Sequence, residues 1–214
     1  MTDLNDKLHD RDQLRKEVLA IRRALPAPYR LHKSSAICDA LEESLALTCA
    51  LTGKAPSDCI VAVYSAFEDE VQLDQFIKAA YAQGAQVAFP CIVTDAWGLE
   101  GAPEQTMEMR LVDEGSYTAN NVPFLANPLK KYRHNDEALE GFPYVEASQL
   151  TMIVIPLVAF DANHDRLGYG GGNYDRYLPQ LGSDCRQIGV AFAEQEVEHI
   201  PTEAHDVPVT VLAR

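Results

Sequence analysis

Basic residues are scarce in this chain. Its 214 residues hold 18 Lys and Arg against 32 Asp and Glu, a formal charge of −14. That balance argues against a nucleic-acid face, because phosphate contacts need a basic surface. It does not exclude small anions, since a cleft can be locally basic on an acidic protein. Long apolar runs are missing too, and nothing approaches the roughly 20 residues of a bilayer span. The opening segment MTDLNDKLHDRDQLRK has no apolar stretch, which predicts no secretory leader and a cytoplasmic protein without membrane partners. The five cysteines, Cys38, Cys49, Cys59, Cys91 and Cys185, are scattered with no C-x-x-C, so they read as reduced packing thiols. The six histidines form no H-x-x-x-H or H-E-x-x-H pattern, which argues against a structural zinc. A P-loop is absent, and no convincing Ser-His-Asp or Cys-His set stands out.

What remains is ordinary globular composition, 47% hydrophobic and 23% charged, in a length that fits one domain over residues 1–214. Residues 3–25 predict a helix in which Leu14, Val18, Ile21 and Leu25 form an apolar stripe, with Arg11, Arg15 and Arg22 on its flank. Pro26 and Pro28 end it, and a second helix is expected over residues 30–51. Short apolar runs at 59–64, 86–90, 151–156, 188–192 and 209–212 read as strands, with a further strand at 107–112. Helices are expected at 73–83 and 174–181, and residues 114–147 read as loop-rich. Strands alternating with helices imply an α/β fold with a mainly parallel sheet covered on both faces.

The segment with the most chemistry runs from Asp161 to Arg176, between a strand and a helix. Its glycines, Gly168, Gly170, Gly171 and Gly172, let backbone N–H groups approach an anion with no Cβ in the way. The helix start adds partial positive charge, and Arg166 offers a planar fork for phosphate oxygens. On spacing alone, phosphate binding and a plain helix-capping turn stand about even. Asp175 is open to two roles, a magnesium ligand beside a phosphate or a first-turn acid favoured by the helix dipole. Asp206 is equally open, as a second magnesium ligand or the cap of a turn before the last strand.

The run from Arg166 to Arg176, R-L-G-Y-G-G-G-N-Y-D-R, closely resembles the signature of the 5-formyltetrahydrofolate cyclo-ligase family, also called methenyltetrahydrofolate synthetases, usually R-L-G-Y-G-G-G-Y-Y-D-R. Residues 155–161, 188–195, 200–206, 14–16 and 64–71 resemble further blocks of that family in the same order. The resemblance implies a three-layer αβα fold with N-terminal helices, of the NagB/RpiA/CoA-transferase-like kind. It implies ATP- and Mg²⁺-dependent conversion of 5-formyltetrahydrofolate to 5,10-methenyltetrahydrofolate by a monomer or homodimer. Phosphorylation of the formyl oxygen would make it a leaving group, and N10 would then attack. The resemblance further implies that Arg11, Arg15, Arg166 and the segment Gly168, Tyr169, Gly170, Gly171, Gly172, Asn173 and Tyr174 hold ATP. Arg166 and Asp175 would serve catalysis, Asp175 and Asp206 would hold magnesium, and Tyr64, Ser65, Glu70 and Asn127 would contact the folate. The sequence departs from the family pattern at Arg11 (usually Lys), Asn173 (usually Tyr), Asn127 (usually Glu or Gln) and His164 (often Gly). Those departures leave a second expectation, a non-catalytic or repurposed member that binds a nucleotide, folate or phosphosugar.

Overall fold

The structure is a computed structural model that describes residues 2–94, 105–203 and 206–214, with side chains from residue 10 onward. Two long helices, α1 (Thr2–Ala24) and α2 (Ala27–Thr52), precede strand β1 (Ile60–Ala62), helix α3 (Asp74–Ala82) and strands β2 (Gln86–Val93) and β3 (Thr106–Val112). Short elements follow: α4 (Glu114–Thr118), α5 (Pro123–Ala126), β4 (Lys131–Tyr132) and β5 (Tyr144–Val145). The chain then forms β6 (Met152–Pro156), the β7 (Ala159–Phe160) and β8 (Arg166–Leu167) ribbon, α6 (Asn173–Tyr177), β9 (Arg186–Ala191) and β10 (Thr210–Ala213).

The main sheet has the order β10-β9-β6-β1-β2-β3-β5, with β4 also paired to β2. Strands β10, β9, β6, β1 and β2 run parallel, while β3 is antiparallel to both β2 and β5. The expected mainly parallel sheet is therefore present, with an antiparallel margin. In β6, Met152 and Val154 face the cluster built on Ile37, Leu41 and Leu45 of α2 and Phe76 of α3. Ile153 and Ile155 face the opposite cluster with Tyr177, Leu178 and Val209. Burial on both faces is why this strand reads as an unbroken apolar run. Each fully buried Leu or Ile contributes roughly 1.5–3 kcal/mol.

Pro26 is extended and opens α2, as expected of a residue that cannot continue α1. At the other end Gly53 adopts φ +68° and donates its N–H to Cys49 O, a left-handed stop that favours glycine. The helix expected at 174–181 is α6 followed by a 3-10 turn, Leu178–Gln180, because Pro179 lacks the N–H to carry the α-helix on.

The α1 face differs from the expected stripe. Val18 is buried, yet Ile21 is 47% exposed while Arg11 and Arg22 are buried. The inward positions are 11, 14, 18, 22 and 25, so Arg11 and Arg22 belong to the buried face, while Arg15 stays at its half-buried edge. Leu14 and Val18 pack on Val158, Ala159, Leu167 and Ile200, beyond the end of β6, which brings the arginines to the glycine-rich segment.

Candidate functional site

A cavity of about 320 Å³ opens beyond the carboxyl ends of β1 and β6, where open α/β sheets place ligands. Its walls include Tyr64 and Ser65 after β1, Pro90 and Ile92 of β2, Pro156 of β6, Glu70, and Tyr169, Asn173 and Tyr174 of the glycine-rich segment. A gap in the sheet makes room for it. Strand β1 pairs with β2 only as far as Ala88, and β4 takes up the pairing at Ile92. Ala88 O accepts from Val63 N–H, so by alternation the ladder groups of residue 90 would point into this gap. Proline there gives up no ladder hydrogen bond.

Glu70 is 4% exposed in the cavity wall. Its Oε2 accepts from Phe67 N–H at 2.8 Å, and its Oε1 accepts from the Tyr169 hydroxyl at 2.8 Å. That hydroxyl in turn accepts from Arg22 Nη2 at 2.6 Å. Arg22 also donates to Asp69 Oδ2 from Nε (3.2 Å) and Nη2 (3.0 Å), and its Nη1 stands 3.9 Å from Glu70. Burial pushes the Glu70 carboxyl above its ordinary range, against the opposing pull of the Phe67 N–H, Tyr169 and Arg22. Burial likewise raises the Tyr64, Tyr169 and Tyr174 phenols, which stay neutral donors at physiological pH.

Behind Tyr169 lies the arginine-rich side. Arg15 Nε donates to Gly168 O at 2.8 Å, and its guanidinium packs against Gly170, which has φ +96°. Arg166 is buried, with one Nη bonded to Asp175 and its Nε without a partner. An unsatisfied buried guanidinium N–H is costly in isolation. Arg11 Nη1 donates to Asp206 Oδ2 at 2.6 Å and to Pro201 O at 3.1 Å, with Glu203 at 3.5 Å. Burial would lower the Arg11 pKa, but Asp206, Glu203 and Asp175 outweigh it and raise it. Two carboxylates expected to hold magnesium, Asp175 and Asp206, thus act on the same guanidinium. Among the described residues no three His, Cys, Asp or Glu converge as a ready cage. This donor set fits a magnesium ion that takes one or two carboxylates and completes its shell with phosphate and water.

The structure brings Tyr64, Ser65, Glu70, Tyr169, Asn173 and Tyr174 to one cavity, and Arg11, Arg15, Arg166, Asp175 and Asp206 to the arginine side. Gly168, Gly170, Gly171 and Gly172 connect the two. Tyr169 turns its hydroxyl to Glu70 rather than outward, and Asn173 Oδ1 accepts from Arg176 at 2.9 Å. Asn127 is exposed, outside the cavity wall, while its neighbours Pro128 and Leu129 line it. His164 does take a turn conformation, with φ +67°. His205, part of the C-terminal block, lies outside the described residues. Sequence reasoning placed Arg22 beside Arg11 and Arg15 but gave it no site role, and it missed Lys131. Lys131 lines the cavity from β4, a strand too short to show periodicity. Arg22 carried a signal, its seven-residue spacing from Arg15 on one helix face.

The model of the 5-formyltetrahydrofolate cyclo-ligase family matches residues 7–213. A 5-formyltetrahydrofolate cyclo-ligase of Mycoplasma pneumoniae is 26% identical over 190 residues, covering 87% of this chain and 88% of the relative. One from Haemophilus influenzae is 27% identical over 156 residues, covering 70% and 72%. The solved 5,10-methenyltetrahydrofolate synthetase of Mycoplasma pneumoniae superposes with a TM-score of 0.63 at 25% identity, covering 94% of this chain and 96% of that one. The Aquifex aeolicus synthetase shares the fold, with a TM-score of 0.62 at 24% identity over 95% and 89% of the two chains. With nearly its whole length matched and the glycine-rich segment, cavity and arginines in one place, the chain belongs to the 5-formyltetrahydrofolate cyclo-ligase family.

Proposed function

We propose that this protein converts 5-formyltetrahydrofolate to 5,10-methenyltetrahydrofolate with ATP and Mg²⁺. The observation that carries the proposal is the shared wall. One segment, Tyr169 to Tyr174, borders an apolar cavity holding a buried carboxylate, and its neighbour Arg166 keeps an unpartnered N–H. A ring system and a triphosphate received on either side of that segment would meet there.

In this reading Glu70 accepts hydrogen bonds from the pterin amino and ring N–H groups, and Tyr64 and Ser65 border the ring. Arg166, Arg15, Arg11 and the N–H groups of Gly168 to Tyr174 hold the phosphates. Phosphoryl transfer to the formyl oxygen replaces a poor leaving group with phosphate, and attack by N10 followed by loss of phosphate closes the ring. Such chemistry depends on alignment and on stabilising phosphate charge, not on a protein nucleophile. Asp175 and Asp206 would hold magnesium, which supplies charge neutralisation at the phosphate oxygens. Arg166 and Arg11, freed from those carboxylates, would turn to phosphate.

The test is incubation with ATP, Mg²⁺ and 5-formyltetrahydrofolate while methenyltetrahydrofolate absorbance is followed. Absence of both product and folate-dependent ATP hydrolysis would exclude the reaction. A second reading, a binding protein without turnover, is favoured only by Asn173, whose amide is engaged with Arg176 where the family usually carries a tyrosine. Folate binding by calorimetry without product formation would support it.

A further inference from the structure

Arg22 is not among the residues that line the cavity. It is 1% exposed, two helical turns beyond Arg15, and buried behind the wall of the cavity. A cation so placed is expensive unless it is paired. Its partners are Asp69, the Tyr169 hydroxyl and, at 3.9 Å, Glu70. Asp69 and Glu70 are adjacent acids, and Glu70 sits in a largely apolar wall. Without a cation nearby, burial disfavours the charged form of such a carboxyl more strongly.

We infer that Arg22 is a positioning residue for folate recognition: through the Tyr169 hydroxyl it fixes the Glu70 carboxylate in the cavity wall and favours its charged form. The inference rests on the folate reaction for the ligand it names. An ionised carboxylate has about four acceptor positions. Phe67 N–H and Tyr169 use one on each oxygen, which leaves acceptor capacity on both oxygens for a ligand with two adjacent donors. A protonated Glu70 would present an O–H to one of those donors and lose the pairing. The groups acting on Glu70 come from every side: Arg22 from α1, Asp69 from its own turn, Tyr64 after β1, and Tyr169 and Tyr174 from the glycine-rich segment, with Lys131 of β4 in the same cavity wall. Arg22 is the cation closest to it among these.

The experiment compares wild type, Arg22→Met, Arg22→Lys and Tyr169→Phe. First, the Glu70 carboxyl is titrated by ¹³C NMR in the ligand-free protein. The midpoint is expected to rise by about 1 unit or more in Arg22→Met, by less in Tyr169→Phe, and least in Arg22→Lys. Second, KM for 5-formyltetrahydrofolate is measured against pH. In Arg22→Met it is expected to rise as pH falls through the Glu70 midpoint, approaching about tenfold for a one-unit shift once the pH lies below both midpoints. It should return toward wild type as pH is raised, with KM for ATP unchanged. An unchanged Glu70 midpoint in both Arg22→Met and Tyr169→Phe would overturn the inference. So would a folate KM raised equally at every pH, which marks a merely structural role. If Arg22→Met does not fold, Tyr169→Phe alone decides. A wild type that makes no product refutes the folate reaction, whereas the NMR titration still judges the coupling of Arg22 to Glu70.

Discussion

Arg11 Nη1 lies 2.6 Å from Asp206 Oδ2, tying the first helix to the segment before the last strand. The family resemblance assigned these residues to different ligands, phosphate and metal, yet they hold each other. Both side chains are at least nine-tenths buried, so removing either leaves the other charge poorly compensated. A double-mutant cycle of Arg11→Met and Asp206→Asn is expected to give a coupling of about 1–3 kcal/mol by urea unfolding. Additive effects would mean that the pair contributes nothing as a pair.

Asp175 is bonded to Arg166 at the start of α6. Asp175→Asn keeps the shape and one acceptor but loses the charge. Turnover is expected to fall about 100-fold or more, with far-UV circular dichroism unchanged. Unaltered turnover would remove Asp175 from the reaction.

Glu70→Gln separates recognition from stability. Loss of a charged acceptor is expected to raise KM for the folate about 10- to 100-fold and leave KM for ATP alone. Stability should move the other way. Burial raises the Glu70 pKa in the folded state above its unfolded value, so its ionisation disfavours folding as pH rises through that interval. The variant is expected to lose less stability than wild type between mildly acidic and neutral pH, as read from Tm against pH.

All five cysteines are buried and free. Burial pushes the Cys38 thiol up to about 11 and the Cys91 and Cys185 thiols up to about 12. A thiol reagent at pH 8 should therefore react slowly with the native protein and rapidly with five thiols in denaturant. A fast native equivalent would show an accessible thiolate.

The strands over 86–90, 151–156 and 188–192 were legible because both faces of each are apolar, and the helix stops at Pro26 and Gly53 because backbone chemistry dictates them. The glycine-rich segment was legible as a motif. The arginines were harder. Hydrophobicity ranks Ile21 as core and Arg22 as surface, yet the fold reverses them, because a buried guanidinium is admissible only where Asp69 and Tyr169 arrive from elsewhere in the chain. Periodicity carries no record of such long-range partners. Strands β4 and β5, of two residues each, hold too few positions for any pattern. The pairing of Asp206 with Arg11 was hidden for the same reason as Arg22, since 195 positions separate the two.

Helix α1 turns Arg11, Arg15 and Arg22 toward the candidate site. Among the described residues its apolar side chains join a small cluster around Val18, and its arginines reach Asp206, Gly168 and Asp69. The sheet core is assembled from other elements. Fraying of this helix would release the arginine contacts to Asp206, Gly168 and Asp69 together. One helix thus gathers three cations that bind three separate stretches of the chain.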